Sequence, residues 1–268
     1  MLLLQSAGEQ FGPIFTLDQL KTTAEEMGLS DTHLRKLISQ LAASGWIEFI
    51  KRGTYAIQSP FFNEEIHPFA VAAGLIQSMA ISHWSAAAHH GFTTQLPRMV
   101  QASTSRKVVT PEMRQGRAYR PRGRVVWRAL GVEVEFINVQ PRHFFGHASI
   151  WVNRWQQVSI TDPERTALDF IARPDVFGGL QAAIEIFEIA LPQIDIDRLV
   201  DYGMEYQVGS VIKRLGWILD RLGTPVNRIT RLQNFPVSTY YRLDSQSLPK
   251  GRYCKRWQIV ENLKNNHA

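Results

Sequence analysis

The sequence predicts an α+β protein, a small N-terminal domain followed by a larger mixed α+β C-terminal domain, and three observations predict it. Between residues 16 and 57 two apolar stripes at helical spacing give way to two short runs rich in β-branched and aromatic residues. Further on, GVEVEFINV and SIWVNRWQQVSI alternate apolar and polar residues, whereas TDPERTALDFIARP and VIKRLGWILDRLG keep the helical period. A chain of 268 residues, 44% of them apolar, exceeds the commonest size of one domain and can fill two cores. The stretch SPFFNEEIHP, residues 59 to 68, gathers Pro, an acidic pair and turn formers, which places the boundary there and the domains at 1–60 and 66–268.

The N-terminal elements follow from local chemistry. An apolar helix is expected within residues 2 to 10. Thr16 with Gln19 three positions later has the spacing of a capping box, and Leu17, Leu20, Ala24 and Met27 recur along one helix face until Gly28 stops it. Ser30 caps the next helix, whose inner side carries Leu34, Leu37, Ile38 and Leu41. Its outer side carries Thr32, Lys36, Ser39 and Ala43, flanked by His33, Arg35 and Gln40. The turn between these helices is only a few residues long, the spacing of a helix-turn-helix. WIEFI and TYAIQ then pair as strands across Lys51, Arg52 and Gly53, with Ile47, Phe49, Tyr55 and Ile57 as their apolar faces. Residues 1 to 58 therefore resemble a winged helix-turn-helix domain.

Such a module enters the DNA major groove, where each base pair displays its own donor and acceptor pattern. Thr32, Ser39 and Ala43 are small enough for close approach, and His33, Arg35, Lys36 and Gln40 can donate to bases or phosphates. Lys51 and Arg52 at the wing tip would grip the backbone, positioning rather than reading. A polar outer face is also what any soluble helix presents, and winged helices serve as protein-docking modules too. Four basic side chains give a weak, salt-sensitive hold, since each neutralised phosphate adds about 0.9 to the salt slope. Either two copies on paired half-sites or additional basic contacts are expected, with the protein a monomer or a dimer on DNA.

The net charge is +6, but its distribution says more than its total. Residues 1–60 carry −1, 61–97 carry −2, 98–128 carry +8, 129–201 carry −6 and 202–268 carry +7. The first basic block holds Arg98, Arg106, Lys107, Arg114, Arg117, Arg120, Arg122, Arg124 and Arg128 against the single acid Glu112. Its glycines and prolines predict an exposed loop or hairpin that tracks phosphates, enters a minor groove or is merely solvated. In the tail, Tyr240, Tyr241, Tyr253 and Trp257 interleave with Arg242, Lys250, Arg252, Lys255 and Arg256. Base stacking is one reading of that pattern, and the inner face of a hairpin with cations outside is the preferred one.

The C-terminal part carries further punctuation. SHWSAAAHHG is a helix from Ser82 to Gly91, and LPRMVQASTSRK contains a strand. In TDPERTALDFIARP, Thr161 or Asp162 caps a helix with Pro163 at its first position and Glu164 in its first turn. Asp162, Glu164 and Asp169 are better explained by capping and the helix dipole than by a carboxylate site. Ala182, Ile186, Ile189 and Ala190 form one later apolar stripe, and Val211, Leu215, Ile218, Leu219 and Leu222 another.

HWSAAAHHGFTTQLPR, TDPERTALDFIARPD with the following GG, and VIKRLGWILDRLG resemble, in order and spacing, the recurrent blocks of AbiEi-type antitoxins, the regulator half of AbiE abortive-infection toxin–antitoxin systems. With the winged helix in front, the resemblance spans about residues 16 to 222. It implies a bacterial autorepressor that binds inverted repeats in double-stranded DNA upstream of its own operon. It also implies an antitoxin that counteracts a nucleotidyltransferase-like toxin without stable contact between the two. No catalytic residue carries over.

Enzyme chemistry finds little to stand on. No Gly-Lys dipeptide exists for a P-loop, no G-x-S-x-G elbow occurs, and no Asp-x-Lys or Glu-x-Lys of a common nuclease core is present. His83, His89, His90, His143 and His147 lack H-E-x-x-H spacing, so no metal and no cofactor are expected. The lone Cys254 cannot form an internal disulfide and fits a reducing cytoplasm. The start lacks the pattern of a signal peptide, and no run of eighteen apolar residues occurs, so no membrane association is expected. The competing reading is a protein-interaction or RNA-binding module that holds a toxin or a transcript through the basic blocks.

Overall fold

The computed structural model describes residues 2–58, 65–116 and 124–263. The chain divides into two compact units, each built from several segments: residues 1–81, 98–139 and 148–160 form the first, and 82–97, 140–147 and 161–268 the second. This differs from a division into 1–60 and 66–268, because the N-terminal module shares its unit with strands that come much later in the chain.

The first unit begins with α1 (Leu2–Phe11), β1 (Ile14–Thr16), α2 (Leu17–Glu26), α3 (Asp31–Ala43), β2 (Ile47–Lys51) and β3 (Thr54–Ile57). Three helices pack over a three-stranded sheet of order β1-β3-β2, which is a winged helix-turn-helix. The capping box forms as its spacing requires: the Gln19 amide donates to Thr16 Oγ1 at 3.2 Å, and the Thr16 amide donates to Gln19 Oε1 at 2.7 Å. Leu3, Leu4, Phe15, Leu20, Leu34, Ile38, Leu41, Ile47, Tyr55 and Ile57 make one core. β1 was not legible as a strand. Its three residues are held by pairing Ile14, Phe15 and Thr16 with Ala56, Tyr55 and Thr54, a contact between distant segments that gives no local period.

The rest of the unit is α4 (Pro68–Leu75) and a six-stranded mixed sheet, with β4 (Ala80–Ile81) and β5 (Val100–Thr104) preceding the four-residue helix α6 (Pro111–Arg114). The helix between them in sequence, α5 (His83–His89), belongs to the second unit. The sheet continues with β6 (Arg124–Ala129), β7 (Val132–Asn138), β8 (His147–Trp151) and β9 (Gln157–Thr161), in the order β6-β7-β5-β4-β9-β8. SIWVNRWQQVSI is thus not one strand but parts of two, broken by a turn in which Asn153 Oδ1 accepts from the Trp155 and Gln156 amides at 3.0 and 2.9 Å.

That turn anchors the N-terminal module. Trp155 Nε1 donates to the Glu9 carbonyl at 3.0 Å, and Gln156 Nε2 to the Ile14 carbonyl at 3.3 Å. Between them Gly12 takes a φ of +81°, and a Cβ there would lie 2.9 Å from Trp155 Cβ. Glycine is required twice over, for the left-handed backbone and for the approach of the indole.

In the second unit α5, α7 (Pro163–Ala172), α8 (Leu180–Ala190), α9 (Ile196–Tyr206), α10 (Gly209–Arg221) and α11 (Val226–Asn234) are joined by a small sheet of β10 (Tyr241–Arg242), β11 (Arg252–Cys254) and β12 (Ile259–Glu261). Asp162 caps α7, accepting from the Arg165 amide at 2.8 Å, and its other oxygen accepts from Arg198 Nη2 and Tyr202 Oη at 2.7 Å each. α7 is buried along nearly its whole length. Arg165 pairs with Asp169 at 2.5 Å, donates to the His143 carbonyl at 3.1 Å, and lies over the rings of Phe145 and Tyr206. The α8 stripe is rotated from the expected one: Leu180, Ala183, Ile186, Phe187 and Ala190 are buried, while Ile189 is 55% exposed. In the tail sheet Trp257 is buried and Tyr253 is 64% exposed, stacking edge-on against Tyr240.

Substituting Gly12→Ala should destabilise the protein by about 2–4 kcal/mol, combining about 1–2 for a left-handed non-glycine with about 1–2 for overpacking. Gly28→Ala, whose φ is +73° but whose Cβ would meet open space, should show the backbone cost alone. Urea unfolding midpoints compare the two, and equal losses would remove the Trp155 contact from the account.

A second expectation concerns His83. It is fully enclosed, stacks on Phe177 at 5.8 Å, and its pKa is lowered from 6.5 to about 4, chiefly by burial, with Asp169 opposing and Arg173 and Arg165 assisting. The unfolded chain binds the proton first. The stabilisation is therefore complete above about pH 6.5 and is lost as pH falls through 6.5 toward 4, amounting to about 3 kcal/mol at the lower end. Unfolding free energies measured from pH 4 to 7.5 should show a shallower acid slope in His83→Gln than in the parent.

Candidate nucleic-acid interface

The outward side of α3 is open. Thr32, His33, Arg35, Lys36, Ser39, Gln40 and Ala43 are all exposed, whereas Leu34, Ile38 and Leu41 on the opposite side are buried. Ser30 Oγ accepts from the His33 amide at 3.4 Å and lies 2.8 Å from His33 Nδ1, fixing that ring at the first turn. Arg35 and Lys36 form no ion pair among the described residues. The anchors that tie the winged helix to the rest of its unit use α1, β1 and β2, so they leave this surface clear.

The wing departs from the simple alternation. Phe49 pairs with Tyr55 and Lys51 with Thr54, so Ile50 is an extra residue, a bulge. Ile50 points inward, where its methyl Cδ1 lies 3.4 Å from the Cβ position of Gly74 on α4. The bulge turns Lys51 over the end of that helix, where Nζ donates to the Leu75 carbonyl at 2.9 Å. Lys51 is half-buried, and burial lowers its pKa. Lys51, expected to grip phosphate, thus has its ammonium on a helix C-terminus. Arg52, one residue further, is exposed at the tip. Phe49, expected on the inner face, is 53% exposed beside Tyr55.

The basic block separates into three groups. Arg98, Arg106, Lys107 and Arg114 are exposed, with Arg106 and Lys107 just beyond the end of β5 and Arg114 in the last turn of α6. Arg124 is not free: its guanidinium clamps Glu135 across β6 and β7 with two bonds of 2.8 and 2.9 Å, and Gln101 donates to the same carboxylate at 2.8 Å. Arg128 likewise pairs with Glu133 at 2.6 Å. Residues 124–129 are therefore strand rather than loop, with both arginines of the strand held by glutamates of β7. Arg117, Arg120 and Arg122 lie outside the described residues.

Among the described residues no three His, Cys, Asp or Glu side chains gather into a metal-binding group, and no helix is long and apolar enough to cross a membrane. No family model matches the chain, and no curated protein does. The crystal structure of the Rv2827c protein from Mycobacterium tuberculosis is similar, with a TM-score of 0.62 and 18% identity over 98% of this chain and 90% of that one. The chain shares that fold. The likeness carries the mixed α+β architecture and assigns no family.

Lys51→Ala should lower stability by about 1 kcal/mol, the worth of a hydrogen bond at a helix C-terminus, while Arg52→Ala should leave it within about 0.5 kcal/mol of the parent. Thermal melts of the two variants check this, and a stable Lys51→Ala protein would return that lysine to the wing tip.

Proposed function

We propose that this protein is a sequence-specific DNA-binding transcriptional regulator, acting by binding rather than catalysis. The observation that carries the reading is the exposed side of α3, where small hydroxyls alternate with Arg35 and Lys36 on a helix capped at Ser30. A helix of this width fits the major groove, and Thr32, Ser39 and Gln40 can meet base edges while the cations reach phosphate. Arg52 grips the backbone alongside. Three cations hold weakly, so two copies on an inverted repeat, or the exposed Arg98, Arg106, Lys107 and Arg114 of the same unit, supply the rest of the affinity.

The resemblance of the HWSAAAHHG, TDPERTALDF and VIKRLGWILDRLG blocks to AbiEi-type antitoxins supports the finer reading, an autorepressor and antitoxin of an AbiE-like operon. A cognate nucleotidyltransferase-like toxin would then be countered functionally, without stable contact. The exposed cations beyond β5 favour one second reading, an RNA-binding module, which the same titrations separate from the first.

In mobility-shift titrations against the DNA upstream of its own gene, the protein should form a discrete complex that random duplex and RNA do not compete away. Lys36→Ala and Arg52→Ala should each lower the slope of log affinity against log salt by about 0.9. Equal affinity for RNA and random duplex would reject sequence-specific repression, and unchanged slopes would remove α3 and the wing from the interface.

A further inference from the structure

The second unit contains a cavity of about 390 Å³ that the DNA reading does not use. Its wall includes Tyr206, the first turn of α10 at Ser210, Arg214 on the next turn, Tyr241 and Arg242 of β10, and Ser245. The volume falls within the usual range of small-molecule sites, about 300–1,000 Å³.

Arg214 gives the cavity its chemistry. It is only 6% exposed, yet its hydrogen bonds among the described residues go to neutral carbonyls, Leu243 from Nε and Ile171 from Nη1, both at 2.7 Å. No carboxylate lies within ion-pair distance of it among the described residues, and the nearby Asp244 spends its oxygens on the Gln246 amide and the Ser247 hydroxyl. A guanidinium has five N–H donors, so this one retains capacity beside a cavity. Burial lowers the pKa of Arg214 against only a partial counter-charge from Asp244, and an anion in the cavity would offset that cost.

The surroundings repeat the same sign. No side chain caps α10, so its first turn presents backbone amides and the positive end of the helix dipole. The Tyr241 hydroxyl sits over that turn, 2.9 Å from where a Cβ on Gly209 would be. Arg242 is exposed at the rim and, among the described residues, its one side-chain hydrogen bond is a 3.4 Å contact with the Ser247 carbonyl. The acidic wall residue, Asp175, is engaged by Arg173 through two bonds of 3.1 Å.

We propose that this cavity binds a small phosphorylated molecule of about mononucleotide size, its phosphate held between Arg214, Arg242 and the first turn of α10. Arginine forks and helix N-termini both match the tetrahedral oxygens of phosphate, and the volume leaves room for more than the bare ion. The proposal stands apart from DNA binding and is read without DNA.

Isothermal titration of the full chain with AMP, inorganic phosphate and acetate at matched ionic strength tests it. AMP should bind saturably at one site, phosphate should compete, and acetate should not. Arg242→Ala and Ser245→Trp, both at exposed positions, should weaken AMP at least tenfold without lowering the melting temperature of the free protein. Arg221→Ala, an exposed arginine away from the cavity, should leave binding unchanged. Absence of saturable binding, acetate competing as well as phosphate, or equal affinity in Arg242→Ala and the parent would each overturn the proposal.

Discussion

The bulge at Ile50 is the constraint on which the geometry of the first unit depends. A regular hairpin would put Ile50 and Lys51 on opposite faces of the strand, Ile50 toward α4 and Lys51 away from it. One extra residue brings both to α4. Ile50 fills the groove beside Gly74, and Lys51 ends on the last carbonyl of α4, an acceptor that would otherwise lack a helical donor. Together with the Trp155 and Gln156 contacts to α1 and β1, this gives the winged helix three attachments to its unit. All three lie away from the outer side of α3. The module is fixed by surfaces it does not need for recognition, so α3 is presented by a rigid support rather than a swinging one.

Rigid presentation has an energetic consequence for the proposed function. A helix that must be ordered on binding spends part of its interaction energy on that ordering, whereas one already capped, packed and anchored does not. Ser30 and the Leu34, Ile38 and Leu41 stripe settle the helix before any partner arrives. The few cations available on α3 and the wing can then act on a preformed surface, which matters most where the electrostatic contribution is small.

The winged helix was legible because its signals are local. Thr16 with Gln19, Ser30 before a helical stripe, and Gly53 between two β-forming runs each report on neighbours within four residues. What was misread depended on partners far along the chain. Nothing in residues 47 to 57 announces that Lys51 will meet Leu75, nor does the run of arginines reveal that Arg124 and Arg128 will pair with Glu135 and Glu133 of β7. A count of charge treats these as equivalent to Arg106 or Arg114, although Arg124 and Arg128 are each engaged by a glutamate. The α8 stripe was rotated for a related reason: Ile186 and Ala190 fit either face, and only the packing of Phe187 against its neighbours selects one.

Three buried cations of the second unit show how differently the same charge can be accommodated. Lys213 is 1% exposed and donates to the Gln233 carbonyl at 2.6 Å and the Leu232 carbonyl at 3.4 Å, so the end of α11 supplies the negative pole of a helix dipole. Arg165 has a full carboxylate in Asp169, a carbonyl from His143 and two ring faces. Arg214 has two carbonyls and a cavity. The first two draw their compensation from the protein itself. The third borders a space large enough for a solute. A lysine would not serve equally there, because a single ammonium cannot span Leu243 and Ile171 while keeping donors aimed elsewhere. The planar fork of arginine does both, and this places the choice of residue with the cavity as much as with the fold.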